Sequence, residues 1–130
     1  MGRGKRAGLP PYWKSFLVAH RIAAGIEVSI PASGDRSGIG IELEFLDEAA
    51  SRVEMREAYP GLGVAADGFV AVGNCSGGTG DPYFINVNDG EGGPLYRIYH
   101  EAVSEDGYER SEAVAVVLAD YRKLVRYLPR

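Results

Sequence analysis

Residues 69–101 read FVAVGNCSGGTGDPYFINVNDGEGGPLYRIYHE, and the fold turns on them. Three apolar runs, at 69–72, 83–87 and 95–99, are rich in β-branched and aromatic side chains. Such residues suit a pleated, half-buried surface. Two glycine-rich loops separate the runs. The second, Asn88-Asp89-Gly90-Glu91-Gly92-Gly93, contains the Asp-Gly pair that a reversing hairpin favours. The stretch therefore reads as a three-stranded antiparallel meander with two acidic, glycine-rich tips.

The preceding chain supplies two more strands and two helices. Residues 1–8 are basic, lack apolar periodicity and read as a disordered tail, leaving 9–130 as one domain. Pro10-Pro11 opens a helix over 11–24, with Trp13, Phe16, Leu17, His20 and Ala24 on one face and Gly25 as its stop. Ile26, Val28 and Ile30 alternate with polar residues, as do Ile39, Ile41 and Leu43, which gives a hairpin across the turn at Ser33-Gly34-Asp35. At Phe45 the period changes to that of a helix over 46–59, with Asp47 and Glu48 at its positive end and Pro60-Gly61 as its stop.

After the meander, 102–109 is polar and turn-like. Ser111 then reads as the cap of a final helix over 111–128, with Val114, Val117, Leu118, Tyr121, Val125 and Leu128 as its apolar stripe. The order is α-β-β-α-β-β-β-α. Hairpins without βαβ alternation indicate an α+β domain, a largely antiparallel sheet with flanking helices.

Bulk composition narrows the function. The chain has 130 residues and one cysteine, Cys75, so it must build its core without an internal disulfide. No apolar run approaches a membrane span, and the basic start lacks the apolar segment of a secretory signal. The expected location is the cytoplasm. A net charge of −4 argues against a general nucleic-acid binder. Lys and Arg collect at both ends while the middle is acidic, a distribution that permits a basic protein partner.

Catalytic and cofactor motifs are weak. The loop Gly73-Asn74-Cys75-Ser76-Gly77-Gly78-Thr79-Gly80-Asp81 superficially resembles a phosphate loop, but it joins two strands, no Lys-Ser/Thr pair follows, and Asp81 repels phosphate. Cys75 with His100 or His20 would make a nucleophile–base pair only if the fold joined them. Two histidines and one cysteine do not suggest a metal site. Asp81, Asp89 and Glu91 match no calcium loop and read as solvated loop charges. Neither cofactor nor metal is expected. Tyr83, Tyr96 and Tyr99 are first of all sheet residues, and any of them exposed near those acids would suit a protein interface.

The motifs also resemble a family in their order. Leu9-Pro10 with Tyr12 and Phe16-Leu17 is similar to its opening helix, and Ile41-Glu42-Leu43 running into Leu46-Asp47-Glu48-Ala49 to its second strand and helix. Gly80-Asp81 with Tyr83-Phe84-Ile85, then Leu95-Tyr96-Arg97 with His100-Glu101, complete the pattern. In this order the chain resembles the SUKH superfamily of bacterial immunity proteins and fungal cell-wall regulators. Many members have aspartate where Asn86 stands. The resemblance implies an α+β domain without catalytic chemistry, whose bacterial members bind and neutralise polymorphic toxins.

The expected function is thus a protein-binding module, an immunity protein that occludes a basic toxin active site. The expected partner-binding residues are Asp81, Tyr83, Asp89, Glu91, Tyr96, Tyr99 and His100. The alternatives are a regulatory scaffold, or a small hydrolase or nucleotide-binding enzyme built on the 73–81 loop and His100.

Overall fold

The computed structural model describes residues 8–77 and 80–129. Most of the expected tail lies outside the described residues. Strands β1 (Glu27–Ile30), β2 (Ile41–Phe45), β3 (Phe69–Cys75), β4 (Tyr83–Asn86), β5 (Leu95–Ile98) and β6 (Val114–Leu118) form a six-stranded sheet in sequence order. Every neighbouring pair is antiparallel. The expected hairpin and the three-stranded meander are both present in it. Helices α1 (Pro11–Ala19), α2 (Glu48–Glu57), α3 (Gly61–Val64) and α4 (Arg110–Ala113) accompany the sheet, and a 3-10 helix spans Tyr121–Tyr127. The architecture is α+β.

Both faces of the central strands are covered. Val70, Val72, Tyr83, Ile85 and Leu95 join Trp13 and Phe16 of α1, with Tyr121 and Leu124 of the last 3-10 helix, on one face. Phe69, Ala71, Phe84, Tyr96 and Ile98 alternate onto the other, against Met55 of α2, Val64 of α3 and Val103. Strands buried on both sides read as continuous apolar runs, which is why the faces could not be assigned from the sequence. Contacts between β1 and the last 3-10 helix, and a bond from the Arg36 N–H to the Val117 carbonyl (2.8 Å), curl the sheet.

Helix α1 ends well before Gly25. The N–H of Ile22 donates to the carbonyl of Leu17, that of Arg21 to Val18, and Arg21 itself takes a left-handed φ of 57°. This is a Schellman stop with arginine in the usual glycine position. His20 is consequently an exposed cap residue, not a core histidine. Asp47 caps α2, its side chain accepting from the Ala50 N–H. A buried Ser51 hydroxyl donates to the Ala71 carbonyl at 2.6 Å, beside the register shift between Ala71 and Gly73, and ties the helix to the sheet there.

The expected last helix over 111–128 is not formed. Only α4, four residues without a side-chain cap from Ser111, is helical before Val114. Val114-Ala115-Val116-Val117-Leu118 then pairs with β5, and a turn capped by Asp120 leads into the 3-10 helix. The element order therefore ends in a short helix, a sixth strand and a 3-10 helix in place of one long α-helix. Two physical terms favour the strand. β-Branched residues lose side-chain freedom in a helix and pack well on a pleated surface. Without β6, moreover, the buried β5 would leave a row of backbone groups unpaired.

Candidate functional site

Because β4 and β5 run antiparallel, the seven expected partner residues separate to two ends of the meander. Asp81 enters β4 beside Tyr99 and His100, which leave β5, while Asp89 and Glu91 lie in the turn at the opposite end. The two acidic tips thus lie at opposite ends of the meander.

At the first end Asp81 is 8% exposed. It accepts from the His100 N–H at 2.8 Å and lies 2.7 Å from His100 Nδ1. The other ring nitrogen of this half-exposed histidine is 3.9 Å from Glu101 Oε2. His100 opens a short 3-10 turn just after β5. A carboxylate that orients an imidazole is one half of a general-base arrangement, which also needs a nucleophile within reach. Cys75 lines a neighbouring cavity of about 320 Å³ together with Gly77, Tyr83 and Arg97, and neither Asp81 nor His100 borders it. The three residues are thus not joined in that pocket.

The floor of this cavity holds a cluster the sequence reading missed. Arg97 lies on the inner face of β5, 1% exposed, with Nη2 3.3 Å from Asp35 Oδ2 and 2.5 Å from the Gly40 carbonyl. Asp35 also accepts from the Ser37 amide and hydroxyl. The guanidinium sits 5.2 Å from the ring centre of Tyr83. By sequence Asp35 belongs to a turn and Arg97 to an apolar strand. The only available signal was an arginine in step with the inward-facing Leu95.

Tyr83 is wholly buried, so its ring is not available to a partner. Burial pushes its phenol up to about 12, against the opposing pull of Arg97. The sign follows from which state ionises first. The unfolded phenol titrates near ~10, so the stabilisation is complete below that pH and is lost as pH rises toward 12. In denaturant titrations across this window, Tyr83→Phe should flatten part of the alkaline fall. An unchanged pH slope in the folded variant would contradict this assignment.

At the second end the turn is fixed by its own bonds. The Gly93 N–H donates to the Gly90 carbonyl, and the Tyr121 N–H to the Gly93 carbonyl at 2.9 Å. Gly90 and Gly92 take positive φ values of 73° and 80°, which favour glycine. Tyr96 is buried, but its hydroxyl reaches Asp89 Oδ2 at 2.7 Å; burial and this carboxylate raise the phenol to about 12. Asp89 and Glu91 are exposed. Beside them a groove of about 220 Å³ is lined by Tyr12, Phe16 and His20 of the first helix and its cap, and by Glu91, Tyr121 and Arg122. Of the three tyrosines singled out from the sequence, Tyr99 alone is half-buried, not buried.

Asn86 also has a defined task. Its side chain accepts from the Asn88 N–H at 2.8 Å and donates to the Asp67 carbonyl at 3.1 Å. A carboxylate could supply the first bond but not the second. Among the described residues no group of three or more His, Cys, Asp or Glu is placed to hold a metal, and no helix is long and apolar enough to cross a membrane. No protein-family model matches the chain, and neither a curated protein nor a solved structure matches it.

Proposed function

We propose that this chain is a non-catalytic, cytoplasmic protein-binding module of SUKH type, an immunity protein that neutralises a cognate toxin by covering its basic active site. The observation that supports the reading is the β4–β5 turn. It presents two exposed carboxylates, Asp89 and Glu91, on a backbone already held by hydrogen bonds and beside an aromatic groove. A pre-ordered acidic tip loses little freedom on binding, and its charge steers a basic partner. The aromatic rings next to it supply the apolar contact that charges alone do not. Asp81 is set apart from this epitope, being buried against His100 at the other end of the meander.

The test is a kinetic one. The first step is to establish whether the neighbouring gene encodes a toxin domain; that domain is then the probe, and the variant is Asp89→Lys with Glu91→Lys. Association at low salt should slow by about tenfold or more, and the gap should narrow as salt rises to ~0.15 M. Glu91→Lys alters only an exposed loop charge and should leave stability unchanged. Asp89→Lys also removes the acceptor of the Tyr96 hydroxyl, so rates are compared after the unfolding midpoint has shown the double variant to be folded. Equal association rates for the folded variant would move the interface away from this tip. A toxin that neither binds the wild type nor is restrained by it on co-expression would overturn the immunity reading.

The Asp81–His100 pair favours a second reading, a small hydrolase that uses His100 as base. Turnover of a small ester or amide that disappears in His100→Ala would support that reading over the first.

A further inference from the structure

A cationic cleft lies where the β1–β2 loop approaches the end of β6. Its volume is about 230 Å³, and it is lined by Gly34 and Arg36 of the β1–β2 loop, Leu118 and Ala119 at the end of β6, and Lys123, Arg126 and Tyr127 of the last 3-10 helix. A 3-10 helix repeats every three residues, which sets Lys123 and Arg126 on the same side. Arg36 is brought to them by its own N–H, which donates to the Val117 carbonyl at 2.8 Å. Gly34 allows Tyr127 to close the end, because a Cβ there would lie 2.8 Å from the tyrosine oxygen.

None of the three cations has an ion-pair partner among the described residues. The nearby carboxylates are committed elsewhere. Asp35 faces inward to Arg97, and Asp120 is held by Arg122 at 2.7 Å. Asp120 still feels Lys123 through space, but it does not border the cleft. Three exposed cationic residues line one concavity in a chain of net charge −4, and an anion seated there would relieve their mutual repulsion. The cleft is small beside the ~300–1,000 Å³ of ordinary ligand pockets. It therefore suits a compact, multiply charged group.

We propose that this cleft binds the phosphate groups of a small molecule, with Arg126 and Arg36 as forked donors and Lys123 as a point charge. The site is independent of the acidic tip and of the glycine-rich loop at 73–81. The probe is inorganic pyrophosphate, titrated calorimetrically into the full chain. Saturable one-site binding that persists at ~0.15 M salt is expected. In Lys123→Gln with Arg126→Gln the affinity should fall at least about tenfold, since two charged contacts are lost, while the unfolding midpoint stays put because both side chains are exposed. A parallel titration with ADP separates the sources. Equal affinity indicates an inorganic phosphate chain, and tighter binding equally lost in the variant indicates the phosphates of a nucleotide. No saturable binding, or binding that the folded double variant retains, would overturn the proposal.

Discussion

Asp35→Ala should destabilise the fold by about 3–5 kcal/mol, the usual result of removing one partner from a buried ion pair. Both side chains are shielded from water, Arg97 at 1% and Asp35 at 0% exposure. With the aspartate gone, a full positive charge remains on the apolar inner face, relieved among the described residues by the Gly40 carbonyl and the Tyr83 ring. The loss is a large part of the ~5–15 kcal/mol that a domain of this kind possesses. It also loosens the loop after β1, which then keeps only its bonds from Arg97 to the Gly40 carbonyl and from the Arg36 N–H to the Val117 carbonyl among those that tie it to the sheet in the described residues. The double variant Asp35→Ala, Arg97→Met should recover much of the loss, because an apolar pair needs no compensating charge. Chemical denaturation of both single variants and the double variant decides it. Additive losses, with no recovery in the double, would show that the two side chains act independently.

The sheet's middle was legible because its signals are local. Each strand of the meander is a β-branched or aromatic run, and Asn88-Asp89-Gly90 lies between two of them. Helix α2 was legible for the same reason: Asp47, expected as a favourable charge at the helix's positive end, is the residue whose side chain accepts from the Ala50 N–H. What escaped the reading was decided at long range. Whether Val114 to Leu118 forms helix or strand depends on the open edge of β5, nearly twenty residues upstream, and not on the segment's own periodicity. Val114, Val117, Leu118 and Tyr121 meet a helical stripe and a strand-plus-turn equally well.

The site shows the same division. The acidic turn at Asp89 and Glu91 could be read directly, since glycine and carboxylates mark an exposed loop. The Asp35–Arg97–Tyr83 cluster could not, because its members are 62 residues apart at the widest and meet only when the β1–β2 loop folds over β5. The cationic cleft has the same origin, since Arg36 joins Lys123 and Arg126 only after the sheet has curled. Nor could the fate of the tyrosines be read. Tyr83 and Tyr96 point to opposite faces, yet both faces are covered, so alternation gave no way to choose the exposed ring.

A pair of neighbouring residues near the chain's end separates the strand-and-turn ending from the helical one most sharply. On a helix running through 111–128, Val125 belongs to the apolar stripe and Leu124 lies outside it. The structure reverses their roles: Leu124 is wholly buried in the cluster with Trp13 and Tyr121, while Val125 is 36% exposed. Leu124→Ala should therefore cost about 2–5 kcal/mol through lost transfer energy and the cavity left behind. Val125→Ala should stay within about 0.5 kcal/mol of the parent, as surface substitutions usually do. Trp13 adds a second reporter, since its ring lies 5.1 Å edge-on from Tyr121, three residues from the substituted leucine. Leu124→Ala should shift the Trp13 emission as the cluster loosens, and Val125→Ala should not. Denaturation midpoints and fluorescence of the two variants, measured side by side, decide between the endings. If Val125→Ala is the costly change and Leu124→Ala the mild one, the last segment is helical and the β5 edge is covered in some other way.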